Sequence, residues 1–344
     1  MSRPQPSPSL SPSTTYRCAC CGGGHAVGEH VAQERMYGTM ESFVYRECAA
    51  CGSLQLATPP ADMGAYYREP YASWQPVPGY VDRPLGYVSR TLRGLRFARC
   101  MGRISPTGAA ALRAFGKPEF PYPMSWFIRA DAGPEARVFD FGCGNARLLR
   151  YLRYNGYRYL CGHDRYARGQ DALRMVDWCD DLDEAPVGGF DLVMAHHSLE
   201  HLDEPLETLQ KLGRLVRPGG TLLVRVPLAQ CQAWQQYGTR WVQLDAPRHQ
   251  VLPSAKGMAQ LLERAGLELV HVEYDSSAFQ FIGSEQYLLD IAMYDPQRSY
   301  LIGKNPDLFS SGQLDSWTGL AHELNQRREG DQACFYARPA NPHQ

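Results

Sequence analysis

Short apolar runs alternate with amphipathic segments along the second half of the chain. The runs at residues 136–141, 159–163, 190–195 and 221–226 are each bounded by turn residues, as in strands that are buried on both faces. The first run is followed by good helix formers over residues 146–155. Because parallel strands are joined by right-handed crossovers, the alternation predicts an α/β fold with a doubly wound sheet.

Weaker patterns complete this sheet. A short strand is expected near residues 175–178, and a helix capped by Ser254 and ended by Gly266 leads into a sixth strand. The last strand is expected at 333–339. Residues 276–332 are too many for a hairpin loop, so this segment should be a helical insertion. Its predicted helices lie around residues 284–294 and 314–326.

A glycine turn follows the first strand, in the sequence VFDFGCGNARLL at residues 138–149. Asp140 interrupts an apolar run, where an unpaired carboxylate is costly. Gly142 and Gly144 let the backbone turn tightly and approach a ligand. Asp164 follows about 20 residues later, at the tip of the next strand, where a carboxylate can bind both hydroxyls of a ribose. This pattern is typical of both NAD-binding proteins and methyltransferases.

The downstream sequence separates these two classes. FDLVMAHHSLEHLDEP at residues 190–205 and LGRLVRPGGTLLVRVP at 212–227 resemble strands 4 and 5 of the class I S-adenosylmethionine-dependent methyltransferases. Together with the glycine turn, they cover most of residues 136–275. One departure is Ala146, where the family often has a third glycine. The resemblance implies a Rossmann-like sheet of seven strands, with the last strand antiparallel between the fifth and sixth.

The resemblance also implies S-adenosylmethionine as the cofactor. The family places an acidic residue and a following backbone N–H against the adenine, and Asp180 or Asp181 fits this role, with the choice between them open. The residues expected to bind the cofactor are Asp140, Gly142, Cys143, Gly144, Asp164, Asp180, Asp181, Leu182 and His196.

Histidines cluster where the fourth strand should end, at the edge of the sheet where ligands bind. Methyl transfer to a hydroxyl requires alignment of the acceptor and removal of its proton, which a neutral imidazole can perform. His249, on the loop after the fifth strand, is the preferred general base, and His201 is the second candidate.

The string His197-x-x-Glu200-His201 also supports the hypothesis that a metal ion binds at this edge of the sheet. It is similar to the Glu-x-x-Glu-His motif of the ubiquinone-pathway O-methyltransferases and the small-RNA 2′-O-methyltransferases, although His197 replaces the first carboxylate. The resemblance implies a divalent ion held by His197, Glu200, His201 and His249, which would acidify a bound hydroxyl. The alternative is that Glu200 and His201 only cap and pack a helix. An inverted zinc-protease motif also matches this string, but it belongs to a different fold.

The N-terminal region carries two cysteine pairs, each followed by glycine. Cys18 and Cys21 form one knuckle, and Cys48 and Cys51 form the other. Four thiolates suit tetrahedral zinc, and no open coordination position is implied, so a structural ion is expected. Cys20 is a competing ligand, and four free cysteines are the alternative. The ribbon strands are expected around residues 31–38 and 42–48.

A zinc ribbon ahead of such a core resembles methyltransferases of sugar and cell-surface glycan pathways. The resemblance implies a sugar, glycan-linked or natural-product acceptor, with a hydroxyl as the favoured target and a nucleotide sugar among the candidates. Five arginines at helical spacing between residues 86 and 104 could meet a phosphate of such a substrate, or form a solvated face. The expected units are a disordered tail at 1–15, the ribbon at 16–58, a helical lid at 59–134 with helices at 61–67 and 86–104, and the core at 135–344.

Composition and charge limit the partners and the cellular location that can be expected. A net charge of −1 gives no strong field for nucleic acid, so no nucleic-acid partner is expected. There is no run of about 18 apolar residues and no secretory signal pattern. The 11 cysteines therefore indicate a reducing compartment and a cytoplasmic location. The oligomeric state stays open. A binding or scaffold protein that uses the same fold without catalysis is the alternative function.

Overall fold

The computed structural model describes residues 16–68, 78–83, 85–103, 105–165 and 176–340. The predicted tail at 1–15 lies outside the described residues, as does most of the crossover that follows the second strand of the core. Within the described residues, no helix has the combination of length and apolar character needed to cross a bilayer.

The larger sheet has seven strands, which are β4 Arg137–Phe141, β5 Tyr159–His163, β6 Asp177–Trp178, β7 Phe190–His196, β8 Val216–Pro227, β10 Leu267–Tyr274 and β11 Gln332–Pro339. Their order in the sheet is β10-β11-β8-β7-β4-β5-β6. β4, β5, β6, β7 and β8 are parallel, whereas β11 runs antiparallel to both of its neighbours, β8 and β10. This arrangement confirms the predicted α/β fold and the place of the last strand.

Helices cover both faces of this sheet because successive strand side chains point to opposite sides. Phe139 and Val193 pack with the helices α5 Pro205–Leu215 and α7 Ala255–Arg264. Val138 and Leu192, one position earlier in each strand, pack on the opposite face. The helices there are α1 Tyr87–Cys100, α3 Ser125–Arg129 and α4 Arg147–Tyr154. The apolar runs in the sequence therefore are strands that are buried on both faces.

A second sheet contains the N-terminal strands and one strand from the far end of the core. Its order is β1-β2-β3-β9, with β1 Ala26–Gln33, β2 Ser42–Cys48, β3 Leu54–Leu56 and β9 Val251–Leu252. Leu54 is opposite Leu252, and both are fully buried. The sequence predicted the first strand at 31–38, which is too late. Residues after Gln33 turn instead, because the Glu34 carboxylate accepts hydrogen bonds from the backbone N–H groups of Tyr37 and Thr39.

Helix α7 fastens the N-terminal region to the core. The Ser254 hydroxyl caps this helix by accepting from the Gly257 N–H, as the sequence predicted, and it also donates to the Cys51 carbonyl. At the other end of α7, the Arg264 guanidinium donates to the carbonyls of Ala19 and Cys20. The N-terminal unit, residues 16–67, is thus bound to the core through both ends of helix α7.

The region between the two sheets has more helix than the sequence indicated. The predicted helix at 61–67 is only a 3-10 turn over Met63–Tyr66, and the next helix, α1, stops at Cys100. The arginine face is not fully solvated, because Arg96 is buried and donates to the carbonyls of Phe115 and Gly116. Helix α2, Pro106–Phe115, was missed although Ser105 caps it ahead of a proline, which is a clear start signal.

Two longer helices lie in the predicted insertion, α8 Phe279–Leu288 and α9 Ser311–Arg327. The short helix α6, Gln232–Tyr237, precedes them. Phe281 and Leu324 belong to a third apolar cluster that includes Tyr45 and Leu54 of the N-terminal sheet. The insertion therefore packs against the N-terminal unit and extends the core in that direction.

Because α7 packs closely against the N-terminal unit, replacing its glycine by alanine should destabilise the protein, which is the opposite of the usual effect in a helix. Replacing glycine by alanine inside a helix usually stabilises it by about 1 kcal/mol. A Cβ at Gly257 would overlap the Ser53 hydroxyl and crowd the Cys51 sulfur. We expect Gly257→Ala to lower the free energy of unfolding by about 1–3 kcal/mol in urea denaturation. The control is Gly319→Ala in α9, where the added Cβ meets nothing within 4 Å, and this variant should be neutral or stabilised. Equal stability of the two variants would contradict the packing.

Candidate active site

The turn after β4 is joined to the end of β5 by backbone hydrogen bonds. Gly142 has a φ of +70° and its N–H donates to the His163 carbonyl at 2.7 Å. The Gly144 N–H donates to the Asp164 carboxylate at 2.8 Å. Asp164 and both glycines therefore form one structure at the carboxyl ends of two parallel strands, as the spacing in the sequence predicted.

Two adjoining cavities open at this edge of the sheet. The larger has a volume of about 460 Å³ and is lined by Gly142, Asp164, His197, His201 and neighbouring side chains. The smaller has a volume of about 330 Å³. The cavities share Phe141, His163, Leu202 and Asp203. Asp180, Asp181 and Leu182 line the smaller one, so the structure places all three in the candidate site and does not separate the two aspartates.

Asp140 lies beneath the glycine turn and is 4% exposed. Burial, and secondly the charge of Asp164, raises its pKa from 3.8 to about 8. A buried carboxyl held this far from its ordinary pKa is more often found at functional sites than elsewhere.

Four of the residues predicted to bind the cofactor are not among those that line either cavity, namely Asp140, Cys143, Gly144 and His196. Cys143 points its sulfur toward Gly162 and packs on the apolar core, which leaves only its backbone near the site. The His196 ring stacks on Trp126 at 4.2 Å between centroids. Both His196 ring nitrogens are shielded from solvent and lack a hydrogen-bond partner among the described residues. Burial lowers the pKa of His196 well below its ordinary value, so the ring is neutral.

The segment after β7 forms a 3-10 turn, Leu199–His201, that faces the larger cavity. His201 lies 3.0 Å through Nδ1 from both the Arg248 carbonyl and the Tyr67 hydroxyl. Because a carbonyl only accepts, Nδ1 carries the proton and Nε2 keeps its lone pair. Burial and the neighbouring His249 lower the pKa of His201 to about 4.

His249 lies behind His201 and is 6% exposed. Its Nδ1 lies 2.7 Å from the Gln243 carbonyl, so its Nε2 also keeps a lone pair. That Nε2 is 3.9 Å from Glu200 Oε1 and 3.9 Å from Asp245 Oδ2. The sequence placed His249 on a loop facing an acceptor, whereas in the structure His201 lines the cavity and His249 does not.

The Glu200 carboxylate lies beside the imidazoles of His201 and His249. Burial would raise the pKa of its carboxyl, but the hydrogen bond from His197 and the nearby histidines outweigh burial and lower it to about 2. Ligand atoms of Glu200, His201 and His249 all lie within 4.8 Å of one another. His197 instead contacts Glu200 Oε1 through Nδ1 at 3.1 Å.

Sequence reasoning missed the residues that close the cavity opposite the glycine turn. Pro59, Met63 and Tyr67 come from the segment after the N-terminal sheet, and Gln250 comes from the loop before β9. Tyr67 directly follows the 3-10 turn Met63–Tyr66, and no local pattern in the sequence marks it as a site residue. Only the folded arrangement brings it to His201, 134 positions away in the chain.

The four cysteines of the two knuckles meet at the N-terminal unit. Cys18 and Cys51 sulfurs are 3.6 Å apart, and those of Cys21 and Cys48 are 3.5 Å apart. All four sulfurs lie within 4.8 Å of one another, and Cys20 is outside this group. The glycines after each pair adopt positive φ, +78° at position 22 and +75° at position 52, which permits the tight knuckle turns.

The model of the family described as "Methyltransferase domain" matches residues 111–272. This segment is therefore similar to a methyltransferase domain. It contains the strands β4–β8 and the glycine turn, and the class I S-adenosylmethionine-dependent fold inferred from the sequence is therefore confirmed.

The chain is also similar to named methyltransferases from bacteria. The tRNA U34 carboxymethyltransferase of Idiomarina loihiensis is 28% identical over 152 residues, covering 40% of this chain and 46% of that protein. The ubiquinone biosynthesis O-methyltransferase of Aromatoleum aromaticum is 28% identical over 112 residues, covering 29% of this chain and 47% of that protein. The chain thus spans about half the length of these relatives.

Among solved structures, the chain is similar to an S-adenosylmethionine-dependent methyltransferase from Mesorhizobium loti. The alignment has 17% sequence identity and a TM-score of 0.38, and it covers 59% of this chain and 91% of that one.

The raised pKa of Asp140 predicts a pH-dependent stability difference. A carboxyl whose pKa rises on folding contributes its stability in full below its unfolded pKa, here about 4, and loses it as the pH rises through about 8. Asparagine cannot ionise. We expect Asp140→Asn to match the native protein near pH 3 and to exceed its free energy of unfolding above pH 8 by roughly 2 kcal/mol or more. Urea titrations at both pH values measure this, and parallel stabilities at both would contradict the shifted pKa.

Proposed function

We propose that the protein is an S-adenosylmethionine-dependent methyltransferase that modifies a small-molecule acceptor. The observation that carries this proposal is the cavity lined by Gly142 and Asp164 within a methyltransferase domain. Ligands of open α/β sheets bind outside the carboxyl ends of the strands, and this cavity lies there. When bound, S-adenosylmethionine supplies the methyl group as a reactive sulfonium.

The described residues fit this cofactor in charge and shape. Asp164 is the candidate for the ribose hydroxyls, and Asp180, Asp181 and Leu182 line the cavity where the adenine would lie. Gly142 lets the turn after β4 approach the segment after β7, since a Cβ at this position would overlap Ser198. Asp140 is a buried carboxyl that a cationic amino group would stabilise.

His201 is the proposed general base for a hydroxyl acceptor. It lines the larger cavity, and its Nε2 lone pair is left available by the hydrogen bonds at Nδ1. His249, the first choice from the sequence, is here assigned to a supporting position behind His201. The ring centroids of the two histidines are 4.7 Å apart.

The acceptor is proposed to carry a hydroxyl on a sugar, a glycan-linked molecule or a natural product. The relatives carry the names of tRNA and ubiquinone-pathway enzymes, which differ in acceptor, so the sugar assignment rests on the ribbon-plus-core resemblance alone. A nucleotide sugar and a cytoplasmic location remain predictions. A protein that holds the cofactor without catalysis is the competing function.

We also propose that the four-cysteine cluster holds a structural zinc ion. The sulfurs come from two knuckles and face one centre, which is the donor set that tetrahedral zinc prefers. Such an ion would crosslink the two halves of the N-terminal unit. Its removal should therefore loosen the docking of that unit on helix α7.

A second divalent ion is the alternative to a free His201 base. The imidazoles of His201 and His249 each donate from Nδ1 to a backbone carbonyl, as metal-ligating histidines commonly do. Glu200 Oε2 is buried and has no hydrogen-bond partner among the described residues. Two imidazoles and a carboxylate suit zinc, iron or cobalt better than magnesium. His197, the fourth ligand expected from the sequence, is assigned to orienting Glu200.

Cofactor binding tests the central proposal. We expect calorimetry with S-adenosylhomocysteine to show one site per chain, and Asp164→Asn to weaken the affinity about 10-fold or more because it loses charge-assisted hydrogen bonds. The matched control is Asp131→Asn, at an exposed position outside both cavities, which should bind as the native protein does. Absence of binding by the native protein would contradict the proposal. Binding without transfer of labelled methyl to any hydroxylated acceptor would favour the competing function.

Metal stoichiometry tests the two ion sites separately. Titration of metal-free protein with Co²⁺ should give one ion with thiolate charge-transfer absorption, which Cys51→Ser abolishes. If the second site exists, one further ion without that absorption should bind, and His249→Asn should remove only this ion. A single ion per chain in the native protein would contradict the second site and leave His201 as the base. Absence of the thiolate band would contradict the zinc ribbon.

A further inference from the structure

The loop of residues 248–250 lies between the N-terminal unit and the 3-10 turn Leu199–His201, which we call the catalytic turn. Its three successive carbonyls are all bonded across the fold. The Arg248 carbonyl accepts from His201 Nδ1 at 3.0 Å, and the His249 carbonyl accepts from the Tyr45 hydroxyl at 2.7 Å. The Gln250 carbonyl accepts from the Leu56 N–H at 2.8 Å. One side of this loop therefore touches the catalytic turn, and the other side touches the N-terminal sheet.

The Arg248 side chain anchors the same loop to the N-terminal unit. It is fully buried, and its Nη2 lies 2.9 Å from the Glu34 carboxylate, which is also fully buried. Asp245 holds the guanidinium from its own loop, and Nη1 donates to the Tyr66 carbonyl at 3.2 Å. Because a buried charge without its partner is strongly unfavourable, Glu34 and Arg248 fix each other in position.

Direct contacts add to this anchoring. The Tyr67 hydroxyl lies 3.0 Å from His201 Nδ1. On the opposite side of the loop, the Gln250 N–H donates to the Glu200 carbonyl at 2.7 Å, and its amide donates to the His201 carbonyl at 2.6 Å. Among the described residues, the hydrogen-bond partners of the His201 ring are the Arg248 carbonyl and the Tyr67 hydroxyl, so they come from the loop at 248–250 and from the N-terminal unit.

We propose that the N-terminal unit is a working part of the active site, with Glu34 and Tyr45 acting as positioning residues for His201 and His249. This inference rests on the proposed function. The cofactor side of the cavity is built differently, from the β4 turn and the end of β5. Disturbing the N-terminal contacts should therefore impair methyl transfer while leaving cofactor affinity unchanged.

The first test measures hydrogen exchange in the full-length protein. In Glu34→Gln, the backbone amides of His249 and Gln250 should exchange about 10-fold faster, whereas those of β4 and β5 should be unchanged. The matched control is Glu29→Gln in β1, which alters an exposed ion pair with Arg46 on the same sheet. Tyr45→Phe removes a single hydroxyl and provides a second variant if Glu34→Gln folds poorly. Unchanged exchange at 249 and 250 in Tyr45→Phe would overturn the proposal.

The second test separates positioning from general stability. For both variants, the affinity for S-adenosylhomocysteine should stay within about 2-fold of native, while kcat for methyl transfer falls about 10-fold or more, as expected for misplaced catalytic groups. Equal losses in cofactor affinity and turnover would show a merely structural role and overturn the proposal. Failure of the proposed function would appear differently, as absence of cofactor binding by the native protein itself.

Discussion

The close approach of the β4 turn to the segment after β7 is the constraint on which the site depends. Gly142 has a positive φ, and a Cβ there would overlap the Ser198 side chain. The Ser198 hydroxyl donates to the Phe141 carbonyl at 3.1 Å, which ties the two strand ends together. With these ends in contact, Asp164 and His201 line the same cavity. The proposed cofactor side and the proposed acceptor side of the site therefore lie at one edge of the sheet.

Local signals in the sequence were sufficient to predict the glycine turn and the acidic residue at this edge of the sheet. A buried strand, two glycines and an acidic residue about 20 positions later specify a turn whose geometry few other residues permit. The cysteine knuckles were equally readable, since their spacing and glycines fix which sulfurs can meet. These features depend on residues that are near each other in the chain, or on strands whose pairing follows from a regular α/β pattern.

The acceptor side could not be read in the same way. Its wall residues Tyr67 and His201 are 134 positions apart in the sequence. The buried pair Glu34 and Arg248, which lies behind this wall, is 214 positions apart. Such pairings depend on how the N-terminal sheet docks on the core, and no periodicity encodes it. The same reason explains His249, which looked like a loop residue but packs behind His201 because Tyr45 and Gln243 bond to its backbone and ring.

The two-residue strand β9 makes the stability of the core depend on the N-terminal unit. It adds the end of a core loop to the N-terminal sheet, so that Leu252 fills that sheet's interior. A truncated chain without residues 16–67 would leave an unpaired strand edge, an uncovered leucine and an Arg248 guanidinium that lacks one of its counterions. The core is therefore not an independent module, and its truncated form should be less stable than the full chain.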